Sequence, residues 1–326
     1  MSLGDPAGIG PELICEAWAN RHEAGVPPFF VAGGASVLRE AAASRGRRVP
    51  VAVIETPDAA ARVFAEALPV VGPMDCDWSP GVPTQAGVAL ALSSLEMATG
   101  LVRANAAAAL VTAPVAKAQL AAIGFHHPGQ TEFLAGTCGL PAEDAVMMLA
   151  GPSLRAVPLT VHCALADVPR LLTRELICRK GRIVAAALTR DFGIAAPRLA
   201  IAGLNPHAGE NGRFGDEEAR IIAPAIAALR DRGLEVSGPH PGDALFTPRA
   251  RATYDVALAM YHDQALIPLK ALDFDEGVNV TLGLPIVRTS PDHGTAFDIA
   301  GKGIANHGNM NAAIAYARRL VAGGQG

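Results

Sequence analysis

Three histidines occur just after apolar runs at widely separated positions. His162 follows VPLTV at 157–161, His207 lies shortly after LAIAGL at 199–204, and His262 follows VALAMY at 256–261. Any one of them alone would more often be a hydrogen-bonded structural histidine. Their long spacing excludes a local zinc finger and a helical HExxH motif. Three imidazoles in equivalent places predict one shared divalent metal, with an open coordination position for a substrate.

Two aspartates accompany these histidines. Asp263 directly follows His262, and Asp243 ends the segment GPHPGD at 238–243. A carboxylate that accepts a hydrogen bond from a metal-binding imidazole fixes the tautomer of the ring. Aspartate is equally common in turns. The sequence leaves both interpretations open for both residues.

Polar residues beside apolar segments predict an anion site. Lys270 and Arg288 both adjoin segments that should be buried, where a cation needs an anionic partner such as a phosphate or carboxylate. Asn279 is unusual inside a predicted strand. Thr131, in GFHHPGQTEF at 124–133, either caps a helix or binds a ligand oxygen, and capping is the more common role.

Apolar runs of strand length alternate with segments of helical periodicity. This alternation predicts an α/β fold with a mostly parallel sheet, in which ligands bind beyond the carboxyl ends of the strands. The predicted strands are 29–32, 51–54, 107–111, 146–150, 157–161, 199–204, 256–260 and 278–282, and the segment 285–290 holds Arg288. The predicted helices are 11–20, 36–45, 85–106, 170–190, one opening at 130–131, one opening at 216–218, and 309–322 with Asn309 as its cap.

Several segments read as turns or loops. Residues 69–83 are rich in Pro, Gly and Asp and predict a surface excursion, and 238–243 predict a rigid loop. The glycine-rich segment GDPAGIGPE at 4–12 contains no GxxxxGK[ST] and no GxGxxG motif, so a tight strand-to-helix turn is as good an interpretation as a phosphate loop. The strand expected before it is shortened to a stub.

Composition excludes some functions. The chain has 326 residues, 50% of them hydrophobic, and a net charge of −4. It has no cluster of basic residues, so nucleic-acid binding is not expected. No apolar run approaches 18 residues and no export leader is visible, which predicts a cytoplasmic protein without a membrane span. The five cysteines show no CxxC spacing and are expected to be reduced thiols.

Five longer motifs carry a family resemblance over nearly the whole chain, from residue 4 to about residue 305. GDPAGIGPE, HPGQTEF, LNPHAGENGRFGDEE, YHDQALIPLK and GVNVTLGLPIVRTSPDHGTAFDIAGKGIA resemble the 4-hydroxythreonine-4-phosphate dehydrogenases. The segment 293–306 also resembles the adenine-nucleotide loop of isopropylmalate and isocitrate dehydrogenases. The resemblance implies their two-domain, non-Rossmann α/β fold, with 1–122 plus 284–326 as a cofactor-side domain, 123–283 as the metal-side domain, and the active site in the cleft between them.

The resemblance also implies the site. The metal, which is Zn, Co or Mg in the family, would be held by His162, His207 and His262, the last supplied by the second subunit of a homodimer. Substrate-binding positions are Gln130, Thr131, Lys270, Asn279 and Arg288. Cofactor-binding positions for NAD or NADP are His293, Gly294, Thr295, Ala296, Asp298 and Asn306. The family commonly has a histidine where this chain has Gln130, and glutamine cannot carry a charge.

The implied reaction is NAD-linked oxidation of the C3 hydroxyl of 4-phosphooxy-L-threonine to a β-keto acid that decarboxylates. Asp243 and Lys117 are the candidate proton acceptors. Rival interpretations are a paralogous dehydrogenase of threonate or erythronate 4-phosphate or of an aromatic dihydrodiol dicarboxylate, a metal-dependent hydrolase or aldolase, and a binding protein without catalysis. Retention of Lys270, Asn279 and Arg288 favours a phosphorylated substrate over the dihydrodiol.

Overall fold

The computed structural model describes residues 1–324. The chain divides into two compact units. Unit 1 comprises Met1–Gly139 and Pro285–Val321, and unit 2 comprises Leu140–Leu284 and the described residues from Ala322 onward. The sequence placed the first boundary at 122, whereas 123–139 belong to unit 1. The reason is local, since Gln130 in this segment donates through Nε2 to the Ala113 carbonyl of unit 1 at 3.2 Å.

Unit 1 is built from parallel strands and helices, labelled here in chain order. Its strands are Val31–Ala32 (β1), Val51–Ile54 (β2), Leu68–Val71 (β3), Ala109–Val111 (β4) and Val287–Pro291 (β11). Its helices are Gly10–Ala19 (α1), Ala35–Ser44 (α2), Ala60–Val63 (α3), Gln85–Arg103 (α4), Lys117–Ala122 (α5), Gln130–Thr137 (α6) and Gly308–Gly323 (α13).

All strand pairs within unit 1 are parallel. β3 lies between β1 and β2, and β4 pairs with β11 in the register Leu110 opposite Arg288. The amino-terminal stub joins these groups, because Ser2 forms parallel bridges to Ala32 after β1 and to Thr112 after β4. The predicted shortened first strand is therefore a single bridging residue that nevertheless lies inside the sheet.

Unit 2 contains the strands and helices that carry the three histidines. Its strands are Val146–Ala150 (β5), Arg155–Thr160 (β6), Arg198–Ala202 (β7), Glu235–His240 (β8), Val256–Tyr261 (β9) and Val278–Leu282 (β10). Its helices are Val168–Leu171 (α7), Arg174–Phe192 (α8), Ala223–Arg230 (α9), Gly242–Leu245 (α10), Pro248–Arg251 (α11) and His262–Asp273 (α12), with a 3₁₀ segment Pro206–Gly212 and a π-helical turn Glu218–Ile222.

The sheet of unit 2 has the strand order β10-β5-β6-β9-β7-β8. The pairs β10/β5 and β5/β6 are antiparallel, and β6/β9, β9/β7 and β7/β8 are parallel. The central strands β6, β9 and β7 are buried along most of their length, which explains why their sequences are continuously apolar rather than alternating. The α/β class with mostly parallel sheets is thus confirmed.

Four predicted elements differ from the structure. Strand β3 was predicted as the start of a surface excursion, and the segment 238–243 forms the end of β8 and the start of α10 instead of a loop. The predicted helix 170–190 is broken after Leu171, because Thr173 caps a new helix by accepting from the Leu176 amide at 3.1 Å. Helix α13 begins at Gly308, so Asn309 lies inside its first turn and is not its cap, and Asn306 Oδ1 accepts from the Gly308 amide at 2.8 Å.

Among the described helices, α4 alone is long and apolar enough by composition to cross a membrane. Half of its apolar window is buried inside the protein. A buried core helix meets the same criteria of length and composition.

Candidate functional site

Three adjacent strands of unit 2 end in the three predicted metal ligands. β6 runs into His162, β9 runs directly into His262, and β7 leads through Asn205 and Pro206 to His207. Because β6, β9 and β7 are parallel neighbours, their carboxyl ends lie along one edge of the sheet. The register Thr160 opposite Tyr261 brings the rings of His162 and His262 to a centroid separation of 5.8 Å.

A cavity of about 300 Å³ lies at this edge. Its wall includes His162, Cys163, Tyr261 and His262. The Nδ1 atom of His262 is 2.7 Å from Asp263 Oδ1, and in the tautomer that donates from Nδ1 to this carboxylate, Nε2 is the acceptor nitrogen. Of the two roles that the sequence left open for Asp263, the structure therefore shows the carboxylate–imidazole contact.

The backbone at the histidines is strained. His162 has φ 48°, and the run from His207 to Asn211 is left-handed throughout, with φ 52° at His207, 50° at Ala208, 42° at Glu210 and 58° at Asn211. Such conformations cost on the order of 1–3 kcal/mol per non-glycine residue and persist where the surrounding structure holds them. They are typical of functional sites.

The single chain does not assemble a complete metal centre. Among residues 1–324, no three His, Cys, Asp or Glu side chains come close enough together to hold a metal ion. His162 and His262 are adjacent, whereas the ring of His207 lies beside that of Phe214, at 6.2 Å between centroids. The structure therefore does not bring all three histidines of one chain together around a single point. The shared metal stays a prediction.

Two predicted substrate residues lie in unit 2. Lys270 is half-buried in the last turn of α12. Asn279 lies inside β10, opposite Leu149 of β5. Its Oδ1 is buried and has no hydrogen-bond partner within the described chain. A buried amide oxygen left unpaired costs about 1–3 kcal/mol, which is the signature of an atom that a ligand satisfies.

The other predicted substrate residues lie in unit 1 around Arg288. Its side chain is buried, with 4% of the residue exposed, and burial lowers its pKa to about 10, while the charge of Glu132 raises it. The guanidinium donates to Thr112 Oγ1 at 2.7 Å and to Gln130 Oε1 at 3.2 Å. Gln130 thus accepts from the cation where a protonated histidine would repel it.

Thr131 does not cap its helix. The N-cap of α6 is Gly129, in extended conformation, and Thr131 lies within the first turn. The prediction of a capping role was wrong, because Gln130 is tied back to Ala113 and starts the helix one residue earlier than the threonine would. The Thr131 hydroxyl is consequently not committed to the helix end.

The two candidate proton acceptors lie in different units. Lys117, in unit 1, is exposed at the start of α5, and a Cβ on Gly129 would lie 3.3 Å from its Nζ and 3.1 Å from Glu132 Oε2. Asp243, in unit 2, is exposed in the first turn of α10, just beyond β8. The structure places Asp243 past the carboxyl end of a strand next to β7.

The predicted cofactor segment, residues 293–306, forms irregular turns in unit 1. It packs on the glycine-rich segment before α1, since the Ile9 amide donates to the Thr295 carbonyl at 2.9 Å. The fully buried Glu12 accepts from the Gly301 amide at 3.0 Å. His293 Nε2 is buried without a hydrogen-bond partner among the described residues, and Ala296 is left-handed with φ 46°. Gly294 and Asp298 belong to the same turns.

Sequence reasoning missed three residues that shape these sites. Glu218 was assigned to a helix start, Thr112 to a strand end, and Gln264 to no role. Gln264 accepts from the Met260 amide at 2.7 Å and donates to the Gly203 carbonyl at 2.8 Å, which ties β9 to the residue after β7. Its place two residues after His262 in YHDQ was the only available signal.

The chain is similar to known proteins over almost its full length. Residues 26–317 match the family model described as pyridoxal phosphate biosynthetic protein PdxA. A 4-hydroxythreonine-4-phosphate dehydrogenase of Erythrobacter litoralis is 62% identical, covering 99% of this chain and 96% of that protein. One of Zymomonas mobilis is 52% identical, covering 97% and 93%. The crystal structure of the Klebsiella pneumoniae 4-hydroxythreonine-4-phosphate dehydrogenase is 40% identical with a TM-score of 0.87, covering 98% of this chain and 96% of that one.

Proposed function

The chain belongs to the family of the pyridoxal phosphate biosynthetic protein PdxA, an oxidoreductase family, and from this premise we propose an NAD-linked, metal-dependent oxidation of 4-phosphooxy-L-threonine. The C3 hydroxyl loses a proton, and the hydride on C3 passes to NAD. The resulting β-keto acid loses CO₂, takes up a proton, and becomes 3-amino-2-oxopropyl phosphate, a precursor of pyridoxine 5′-phosphate.

One observation supports this proposal most directly. Three neighbouring parallel strands, β6, β9 and β7, each run into one of the three histidines at a single edge of the unit 2 sheet. This is the edge at which open α/β sheets bind ligands. The adjacent cavity has room for a small substrate.

The residues at this edge suit a divalent metal. His162 and His207 of one subunit would bind it together with His262 of the second subunit, as the family resemblance implies. Neutral imidazoles favour zinc or cobalt over magnesium. When bound, the metal would lower the pKa of the substrate hydroxyl and stabilise negative charge during decarboxylation. The contact of Asp263 with Nδ1 leaves Nε2 of His262 as the ligand atom.

The substrate phosphate needs cationic and polar partners. Arg288 offers a buried guanidinium, whose fork geometry matches phosphate oxygens. Lys270, Thr131 and Asn279 supply one further charge and two hydrogen-bonding groups. Binding of the substrate to Asn279 would give its buried Oδ1, or the amide nitrogen in the flipped orientation, a partner that the apo chain lacks.

Proton and hydride transfer need an acceptor each. Asp243 is the stronger candidate for the proton, because it lies past the end of β8, beside the strand that leads to His207. Lys117, beside Glu132, is the second candidate. NAD would accept the hydride, held by the segment 293–306, whose buried and unpaired His293 Nε2 is available for the cofactor.

A substrate panel tests the assignment. Purified protein with added zinc would be assayed at the NADH absorbance with 4-phosphooxy-L-threonine, threonate 4-phosphate, erythronate 4-phosphate and an aromatic dihydrodiol dicarboxylate, each with NAD and with NADP. We expect the highest kcat/KM for phosphothreonine with NAD. A higher kcat/KM for a sugar-acid phosphate would mean that this compound, and not phosphothreonine, is the substrate. Turnover without any nicotinamide cofactor would favour a hydrolase or aldolase.

Assembly and location are part of the proposal. The proposal includes a homodimer in the cytoplasm, in which the second subunit would complete the metal site. Sedimentation analysis at micromolar concentration tests the assembly, and a monomer that binds metal and turns over at full rate would contradict it.

A further inference from the structure

The carboxylate of Glu218 holds the loop that carries His207. Glu218 is buried, with 6% of the residue exposed. Its Oε1 accepts from the backbone amides of Leu204 and Asn205, both at 2.8 Å, and its Oε2 accepts from Asn205 Nδ2 at 3.0 Å. All of these donors belong to Leu204 and Asn205, two of the three residues that connect the end of β7 to the 3₁₀ segment.

The loop encloses this carboxylate tightly. A Cβ added to Gly209 would lie 2.7 Å from Glu218 Oε2, and one added to Gly203 would lie 3.2 Å from Oε1. Glycine is therefore required at position 209 for two reasons, its φ of 80° and the closeness of the carboxylate. The loop residues before and after His207 thus surround the two carboxylate oxygens of Glu218.

Helix geometry explains how Glu218 reaches this position. The residues Glu218–Ile222 form a π-helical turn before α9. Such single π-turns insert one extra residue and redirect side chains, and they occur often at functional sites. The Arg220 amide donates to the Asp216 carbonyl at 2.8 Å, which keeps the turn attached to the preceding bend. The carboxylate is consequently aimed at the loop instead of at solvent.

The left-handed run at 207–211 needs such an anchor. Its non-glycine residues prefer negative φ, so a loop without an external constraint would relax and move the imidazole of His207. We propose that Glu218 is a positioning residue, which holds the strained loop so that His207 is preorganised as a metal ligand. This inference rests on the proposed function, and it adds a residue that does not itself touch metal or substrate.

Glutamine is the informative replacement. Glu218→Gln keeps the size of the side chain but has a single acceptor oxygen, and its NH₂ group would face a backbone or side-chain donor. Loss of a partner outside the ligand shell typically weakens metal binding roughly 10- to 100-fold. We expect a loss of this size in zinc affinity, measured by competition with a chromophoric chelator on the full-length dimer shown to be folded by circular dichroism.

A matched control is available next to it. Glu217 Oε2 accepts from Asn205 Nδ2 at 2.8 Å, and glutamine there keeps an acceptor. Glu217→Gln should therefore bind zinc within about twofold of the wild type, since it disturbs a single side-chain contact. A folded Glu218→Gln protein whose zinc affinity equals that of Glu217→Gln would overturn the positioning role.

Two further variants keep the outcomes distinct. If Glu218→Gln does not fold, Asn205→Ala removes the side-chain contact and leaves both backbone bonds to Oε1, and it should weaken zinc binding by a smaller factor, roughly threefold to tenfold. Unchanged affinity in folded Asn205→Ala would then refute the inference. His207→Ala is measured in parallel. If it binds zinc as the wild type does, the metal assignment itself fails, whereas loss in His207→Ala with none in Glu218→Gln removes only the role of Glu218.

Discussion

Arg288 and Gln130 are joined by a hydrogen bond from the guanidinium to the amide oxygen, 3.2 Å long, although 158 residues separate them in the sequence. Gln130 in turn donates to the Ala113 carbonyl, so the amide is fixed in one orientation. Two neutral acceptors, Thr112 Oγ1 and Gln130 Oε1, thereby contact this buried guanidinium of unit 1, and the charge of Glu132 also acts on it.

Removal of the guanidinium should weaken substrate binding. For Arg288→Met we expect the KM for the phosphorylated substrate to rise roughly 10- to 100-fold, because hydrogen bonds to a charged group contribute about 1.5–3 kcal/mol. Steady-state kinetics at the NADH absorbance measure this change. Arg103→Met, at an exposed arginine of α4, is the control and should leave the KM unchanged. An Arg288→Met enzyme with normal KM would exclude a phosphate contact.

Mixed dimers test whether His262 acts in the opposite subunit. His162→Ala and His262→Ala homodimers should each lose bound metal and turnover. Subunits reassorted from the two variants should regain one intact site per mixed dimer, since one site then has His162 from one chain and His262 from the other. Metal content by mass spectrometry and the rate of NADH formation report the recovery.

Inactive mixed dimers would contradict the role of His262 in the opposite subunit. In the single chain the rings of His162 and His262 lie 5.8 Å apart, so a site formed within one subunit would use both from the same chain. Mixed dimers would then stay inactive. Exposed His22→Ala is the control, and it should keep full metal content and rate.

Asn279 should show opposite effects on stability and binding. Its buried Oδ1 has no partner in the described chain, so Asn279→Val removes an unsatisfied acceptor from a strand and should raise the free energy of unfolding by about 1 kcal/mol. The KM for the phosphorylated substrate should rise. Asn311→Leu removes a comparable buried, unpaired Oδ1 from α13 and should stabilise without any change in KM. Equal kinetic effects of both variants would remove Asn279 from the site.

The burial of Lys180 predicts that the free energy of unfolding rises with pH. Its Nζ donates to the Leu159 carbonyl of β6 at 2.8 Å, and burial lowers its pKa from the ordinary value of 10.5 to about 8. Between these values the unfolded chain binds more protons than the folded chain, so the free energy of unfolding of the wild type increases with pH through this window.

Lys180→Met lacks this contribution. Relative to the variant, the wild type should gain up to about 3 kcal/mol in free energy of unfolding between about pH 7 and about pH 10.5, at 1.36 kcal/mol per pKa unit. Urea unfolding at both pH values measures the gain. Lys302→Met, at an exposed lysine, should follow the wild type at both. A constant difference between wild type and Lys180→Met would mean that burial does not shift this lysine.

Much of the fold was readable from the sequence. The apolar runs that became β5, β6, β7, β9 and β10 are buried on both faces, so their composition alone marks them as strands. Strand β3 was missed because Pro69 and the following glycine and aspartates outweighed a run of only four residues. The helix break before Thr173 was missed because a cap depends on which hydroxyl oxygen reaches a backbone amide.

The sequence by itself determined the residue types of the candidate site: three imidazoles after strands, a buried arginine, and a polar residue in a strand. Only the tertiary structure decided which of them meet. Strand pairing places His162 beside His262. The Thr160 hydroxyl donates to the Met260 carbonyl, 100 residues further along the chain. The carboxylate of Glu218 accepts from the amide of Leu204, 14 residues earlier. Long-range pairing and the direction of a buried side chain depend on the packing of whole elements, which periodicity along a single chain does not encode.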